Sequence, residues 1–167
     1  MITRYAENVC MAAPGLAIKA TTSAIVKYAN TFSFKANGRY SGSITTADCP
    51  SLALATEQQP YPSGTAAVAG NLADGYYRIY TLVGTLAVTG TSGVTATFSW
   101  IASSDVLSSG DLYNIGNVAF PDKANQAAIG FVIVKNASGA DFIPNSTKLD
   151  ASNITTTYID HYGFIMR

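Results

Sequence analysis

Charge is scarce in this 167-residue chain: only 12% of its residues are charged, with ten Lys plus Arg balanced against ten Asp plus Glu. A typical soluble domain carries roughly 25%. No run of like charge occurs, so the basic stripe that releases counterions from nucleic-acid phosphates is missing and a nucleic-acid partner is not expected. No apolar run approaches the roughly 18 residues of a membrane-spanning helix, and no membrane partner is expected. The apolar stretch from Val9 to Ile18 is broken by Pro14-Gly15 and preceded by Glu7, where a leader peptide would be basic. It therefore reads as an ordered arm. Two cysteines, Cys10 and Cys49, make neither a C-x-x-C motif nor a disulfide framework, and they read as reduced thiols.

Catalytic groups are equally sparse. His161 is the only histidine, and so the only side chain whose ordinary pKa suits a neutral-pH base. It lies in Asp160-His161-Tyr162, between two predicted strands, and reads as a turn histidine. No G-x-S-x-G nucleophile elbow accompanies it. Nor is there a close-spaced zinc-ligand pair, a calcium loop or a G-x-x-x-x-G-K-[ST] phosphate cradle. Glu7 and Glu57 are the only glutamates, and both fall in predicted arm or loop. No catalytic residue, metal or cofactor is expected, and the chain does not read as an enzyme. The N-x-[ST] sequons at Asn136, Asn145 and Asn153 are what chance supplies in a chain with 33 Ser and Thr.

What is abundant is apolar residues (48%) interleaved with Ser, Thr, Asn and Gly. The interleaving has period two. Val94-Thr95-Ala96-Thr97-Phe98-Ser99-Trp100 alternates without error, which predicts a strand with one buried and one wet face. Phe32 to Ala36 alternates, meets Asn37-Gly38 and resumes at Arg39-Tyr40. That is a hairpin signal, because both turn positions need positive φ. Further strands are predicted at Tyr76–Leu82, Thr85–Val88, Val118–Phe120, Ala128–Lys135, Asn153–Ile159 and Tyr162–Met166. Ile129 to Val134 lacks alternation and should be buried on both faces. Turns are predicted at Asp74-Gly75, Gly90–Gly93 and Asn136–Gly139. Asp48 caps a short turn over Pro50–Thr56, and Glu57–Gly75 reads as a long surface loop.

These signals predict an all-β fold, an antiparallel β-sandwich or jelly-roll-like barrel over residues 23–167, preceded by an extended N-terminal arm over residues 1–22. Residues 1–10 show no strand or helix period, which suggests attachment to a partner. Tyr76, Tyr77 and Tyr80 share one strand, with Tyr77 facing opposite to the other two. Each either contacts a subunit or carbohydrate, or sits in the core with its hydroxyl at the rim. Arg4 and Tyr5 in the arm, with Tyr76, Tyr77 and Tyr80, are the candidate interface residues.

From Tyr76 onward the order of features resembles a known group. Asp74-Gly75-Tyr76-Tyr77-Arg78-Ile79-Tyr80 precedes a Thr/Gly-rich strand pair. Pro121-Asp122-Lys123-Ala124 precedes Ile129–Asn136. Asp141-Phe142-Ile143-Pro144, Thr147–Ala151 and Thr155–Ile159 close the chain. The C-terminal half thus resembles the capsid decoration (cement) and head-fibre-like virion structural proteins of tailed bacteriophages. That resemblance implies a homo-oligomer, a trimer, on the outer capsid surface of the virion, bound to the major capsid protein and bridging capsid subunits. The alternative is a carbohydrate- or receptor-binding β-sandwich module of a phage fibre or tail.

Overall fold

A computed structural model of the protein describes residues 8–57, 68–89, 93–107, 121 and 123–163. Among the described residues eleven strands run in chain order: β1 (Val9–Cys10), β2 (Leu16–Ile18), β3 (Val26–Tyr28), β4 (Phe34–Ala36), β5 (Arg39–Tyr40), β6 (Ala47–Asp48), β7 (Thr56–Glu57), β8 (Tyr77–Thr89), β9 (Gly93–Ala102), β10 (Gln126–Asn136) and β11 (Ile154–Asp160). They form a five-stranded sheet in the order β11-β10-β8-β9-β7 and two three-stranded sheets, β1-β4-β5 and β2-β3-β6. These strands all pair antiparallel except in the two-residue β7–β9 contact. The fold is an all-β sandwich, and among the described residues its sheets do not close into a barrel.

Both small sheets pack on one face of the large one. Alternation along β8 and β9 turns Tyr80, Leu82, Leu86, Phe98, Trp100 and Ala102 to that face, where they join Cys10, Leu16, Val26, Phe32 and Phe34 in the main core. Four aromatic rings meet in it at tilted or edge-on angles: Phe98 lies 5.6 Å from Tyr28, 6.0 Å from Phe32 and 5.9 Å from Phe34. The single tryptophan donates its indole N–H to the Pro50 carbonyl at 2.7 Å, so its polar edge is satisfied inside the core. On the opposite face Ile79 and Ile133 are buried, with Tyr77, Val106 and Phe131 packed against them.

The alternation predicted for residues 94–100 is present, with Thr95, Thr97 and Ser99 exposed and Trp100 buried. β10 is buried on both faces as its continuous apolar run requires. Its register with β8 shifts between Ala128 and Gly130, inserting Ile129 as a bulge. Asn37 and Gly38 have φ of 50° and 73°, the left-handed pair of a two-residue hairpin turn between β4 and β5.

Several expectations need correction. The strands predicted at Tyr76–Leu82 and Thr85–Val88 are one strand that starts at Tyr77, because Gly84 continues the β8 ladder instead of breaking it. The short turn is a 3-10 helix over Leu52–Leu54 capped by Ser51, whose hydroxyl accepts the Ala53 N–H. Asp48 is instead paired with Lys19 at 2.6 Å. Residues 68–75 are not simply surface, since Leu72 is fully buried and exchanges both main-chain bonds with Phe142. Val118–Phe120 lies outside the described residues, and Tyr162 and Gly163 are not in a strand.

Residues 1–7 of the arm expected over residues 1–22 lie outside the described residues, and the rest of it pairs with later strands. β1 pairs with β4 and β2 pairs with β3. Cys10 is completely buried, and Leu16 lies against Gly130 of β10 so closely that a Cβ there would meet its Cδ1 at 2.5 Å. Residues 8–22 are therefore part of the sandwich, packed by residue types (Val, Cys, Leu, Ile) whose spacing carries no period because each strand is only two or three residues long.

Candidate functional site

The tyrosines separate by face as strand geometry demands. Tyr80 is fully buried in the main core, and Tyr76 packs partly buried against the same side. Tyr77 lies on the opposite face, with the Lys135 ammonium 5.4 Å from its ring centroid. Tyr80 is thus occupied within its own chain: its hydroxyl accepts a bond from Arg78 at 3.2 Å, and burial pushes its pKa up. Arg4 and Tyr5 lie outside the described residues.

Arg78 itself is the main buried charge. Its Nε and Nη2 donate to the two oxygens of Asp105 at 2.6 and 3.1 Å, and its remaining donors reach the carbonyls of Gly70 and Asn71 and the Tyr80 hydroxyl. Burial alone would lower its pKa, but the bonds to Asp105 and Tyr80 reverse that and hold it above its ordinary value. With all five N–H groups used, the guanidinium fastens the 70–71 and 103–106 segments to β8 and has no donor left for a ligand. Sequence alone does not mark it, because the pattern of β8 names only its apolar residues.

His161 and Asp160 point to different tasks. The imidazole stands edge-on to Phe131 at 5.4 Å, with Nδ1 3.4 Å from the Ala128 carbonyl. The Asp160 carboxylate accepts the N–H groups of Gly15 and Leu16 at 3.0 and 2.9 Å. Their adjacency in sequence is not a pairing in space. Among the described residues no three His, Cys, Asp or Glu side chains gather where a metal ion could be held. Cys10 and Cys49 are free and buried, and burial raises their pKa to about 11 and about 12. Thiols so shielded are poor nucleophiles. Of the sequons, Asn136 is fully buried and donates its amide to the Leu72 and Ala140 carbonyls.

Among the described residues, two surfaces of the large sheet are open to a partner. One is its outward face, where Thr95, Thr97 and Ser99 on β9 and Thr155 and Thr157 on β11 are exposed on either side of the buried Ile79–Ile133 pair. The other is the rim of β9. β7 pairs only with Ile101 and Ala102, so among the described residues no strand lies beside Gly93–Ser99. Leu54 and Val68, near the end of this rim, are 69% and 60% exposed. The sequence signal for the rim is the lack of any lysine, proline or glutamate between Gly93 and Ala102, residues with which natural proteins blunt an edge.

No protein-family model, curated protein or solved structure matches the chain.

Proposed function

We propose that the protein is a non-catalytic virion structural protein, a decoration protein that binds the outside of an assembled tailed-phage shell and stabilises it by bridging copies of the major capsid protein. The observation that carries this reading is the outward face of the large sheet, edged with threonine and serine hydroxyls. Such a face sets short hydrogen-bonding groups around Tyr77 and Phe131, with the Lys135 ammonium beside Tyr77, and an aromatic centre with a polar rim suits docking on a protein lattice. The order of features in the C-terminal half, which resembles decoration proteins, points the same way. The carbohydrate-binding reading would need outward aromatics grouped on a concave surface, whereas Tyr80 is buried and Tyr76 and Tyr77 are partly buried.

The mechanism is linkage. A protein that binds the assembled shell and not its free subunits stabilises the shell by its binding free energy at each site. Each contact needs an interface on the order of 1,200–2,000 Å². Sedimentation with assembled shells of the cognate phage, against unassembled capsid subunits, tests the reading. The protein is expected to pellet with shells and to raise their disassembly temperature. Failure to bind shells, together with saturable binding to a glycan array, would replace it with the fibre or tail module.

A further inference from the structure

We infer that the rim of β9, which no strand among the described residues covers along Gly93–Ser99, pairs with the same rim of a second copy, joining two large sheets across a two-fold axis at Ala96. The phase of the ladder comes first. The Ser103 N–H donates to the Ile79 carbonyl at 2.8 Å, and Thr81 pairs with Ile101. Hydrogen-bonded pairs alternate along an antiparallel ladder, so the odd-numbered residues of β9 turn their main-chain groups toward β8. Val94, Ala96 and Phe98 turn theirs outward. The outward N–H and C=O groups thus belong to the residues whose side chains face the core.

The sequence of this rim is complementary to itself. An antiparallel neighbour centred on Ala96 sets Val94 opposite Phe98 and Ala96 opposite its own copy on the core side. On the outward side it sets Thr95 opposite Thr97. A β-branched residue across from an aromatic, and threonine across from threonine, are both favourable cross-strand pairs. The smallest side chain falls on the axis, where a residue must meet itself. Neither partner brings a charge, and about six main-chain bonds form in the register that the outward groups already dictate.

The opposite rim of the sheet already has neighbours along it, bonded to one main-chain donor and two side chains. Along β11 the Ile154 N–H is bonded to the Ala151 carbonyl, the Thr156 hydroxyl to the Leu149 carbonyl, and Asp160 to Gly15 and Leu16. A head-to-tail ring needs two open edges, whereas a closed two-fold pair needs one. The dimer differs from the trimer that the resemblance implies, and it stands independently of whether the protein binds a shell. A ladder this short buries less than a standard interface, so association in the micromolar range is expected.

Light scattering or sedimentation equilibrium of the full chain from about 1 to 500 μM is the first measurement, and a concentration-dependent dimer is the expected result. Replacing Thr95 and Thr97 by lysine sets like charges opposite each other and should weaken the dimer by about tenfold or more. Both side chains are exposed, so circular dichroism and melting should not change. The register is read separately by cysteine cross-linking. Thr95→Cys mixed with Thr97→Cys should form a disulfide-linked heterodimer on oxidation, while each variant alone forms far less, because the two thiols meet only across the axis. The native cysteines are buried and do not interfere. A chain that stays monomeric throughout overturns the inference and leaves the rim to a strand of another protein. So does a dimer that survives both lysines and shows no preference for the mixed cross-link.

Discussion

Phe34 closes over Gly84: a Cβ built on that glycine would lie 2.6 Å from the ring's Cζ and 2.9 Å from both Cε atoms. The contact joins β4 of a small sheet to the middle of β8, and it seats Phe34 beside Phe98, which also meets Tyr28 and Phe32. The glycine is there for the ring. Its φ is not left-handed, so close approach and not backbone freedom is what the position requires.

Gly84→Ala should therefore destabilise the fold by about 1–3 kcal/mol, as overpacking a filled core does. For a domain of this size that lowers Tm by roughly 2–4 °C per kcal/mol. Gly70→Ala is the control, since an added Cβ there meets nothing within 4 Å and its φ is not left-handed. It should leave Tm within about 2 °C of the parent. Equal melting of the two variants would show that Phe34 can move aside.

The Asp160 clamp supports a second prediction. Asp160→Ala leaves the N–H groups of Gly15 and Leu16 without the carboxylate that accepts them 144–145 residues away in the chain. A loss of about 1.5–3 kcal/mol is expected, the range for hydrogen bonds to a charged group. Amide exchange at Gly15 and Leu16 should accelerate more than at β3. Unchanged exchange there would mean that β2 is held by Leu16 packing alone.

Removing residues 1–22 should abolish folding. The truncation takes Cys10 and Leu16 out of the main core, uncovers Gly130 and strips β4 of its partner strand β1. Leu16→Ala, a gentler change at the same place, should cost about 2–5 kcal/mol. A truncated chain starting at Ser23 that melted cooperatively near the parent temperature would restore the arm as a separate appendage.

Arg78 and Asp105 make a fourth case. Arg78→Met leaves Asp105 without its cation and takes the donors away from the Gly70 and Asn71 carbonyls. Breaking a buried pair costs roughly 3–5 kcal/mol, and the partial exposure of Asp105 sets the expectation at the lower end. Arg78→Lys should recover only a fraction, because an ammonium cannot span the carboxylate and two carbonyls at once. Full recovery by lysine would reduce the site to simple charge pairing.

Alkaline pH should weaken the fold through its two thiols. Burial raises Cys10 to about 11 and Cys49 to about 12 from an ordinary 9.0. The folded state then holds protons that the unfolded chain releases, so this stabilisation is complete below pH 9 and is lost as pH rises toward 11–12. A tenfold difference in proton affinity corresponds to about 1.4 kcal/mol, and denaturant unfolding between about pH 8 and 11 should show a decline of a few kcal/mol. Cys49→Ala should flatten that slope, and an unchanged slope would assign the decline to other groups.

Much of this architecture was legible in the order of residues. Period-two alternation marked β9, the continuous apolar run marked β10, and Asn37-Gly38 marked the β4–β5 turn, because each is a local requirement of backbone geometry. What tertiary structure decided lay where contacts are distant. Residues 8–22 belong to the sandwich because Leu16 meets Gly130 and Asp160, although strands of two or three residues leave no periodicity to detect. Gly84 sits in mid-strand because a ring from β4 occupies the space of its Cβ, and Tyr80 is interior because Arg78 meets its hydroxyl. The uncharged rim of β9 was written in the sequence. Only the arrangement of the five strands made it an edge, since the same alternation in a central strand would have both of its sides paired.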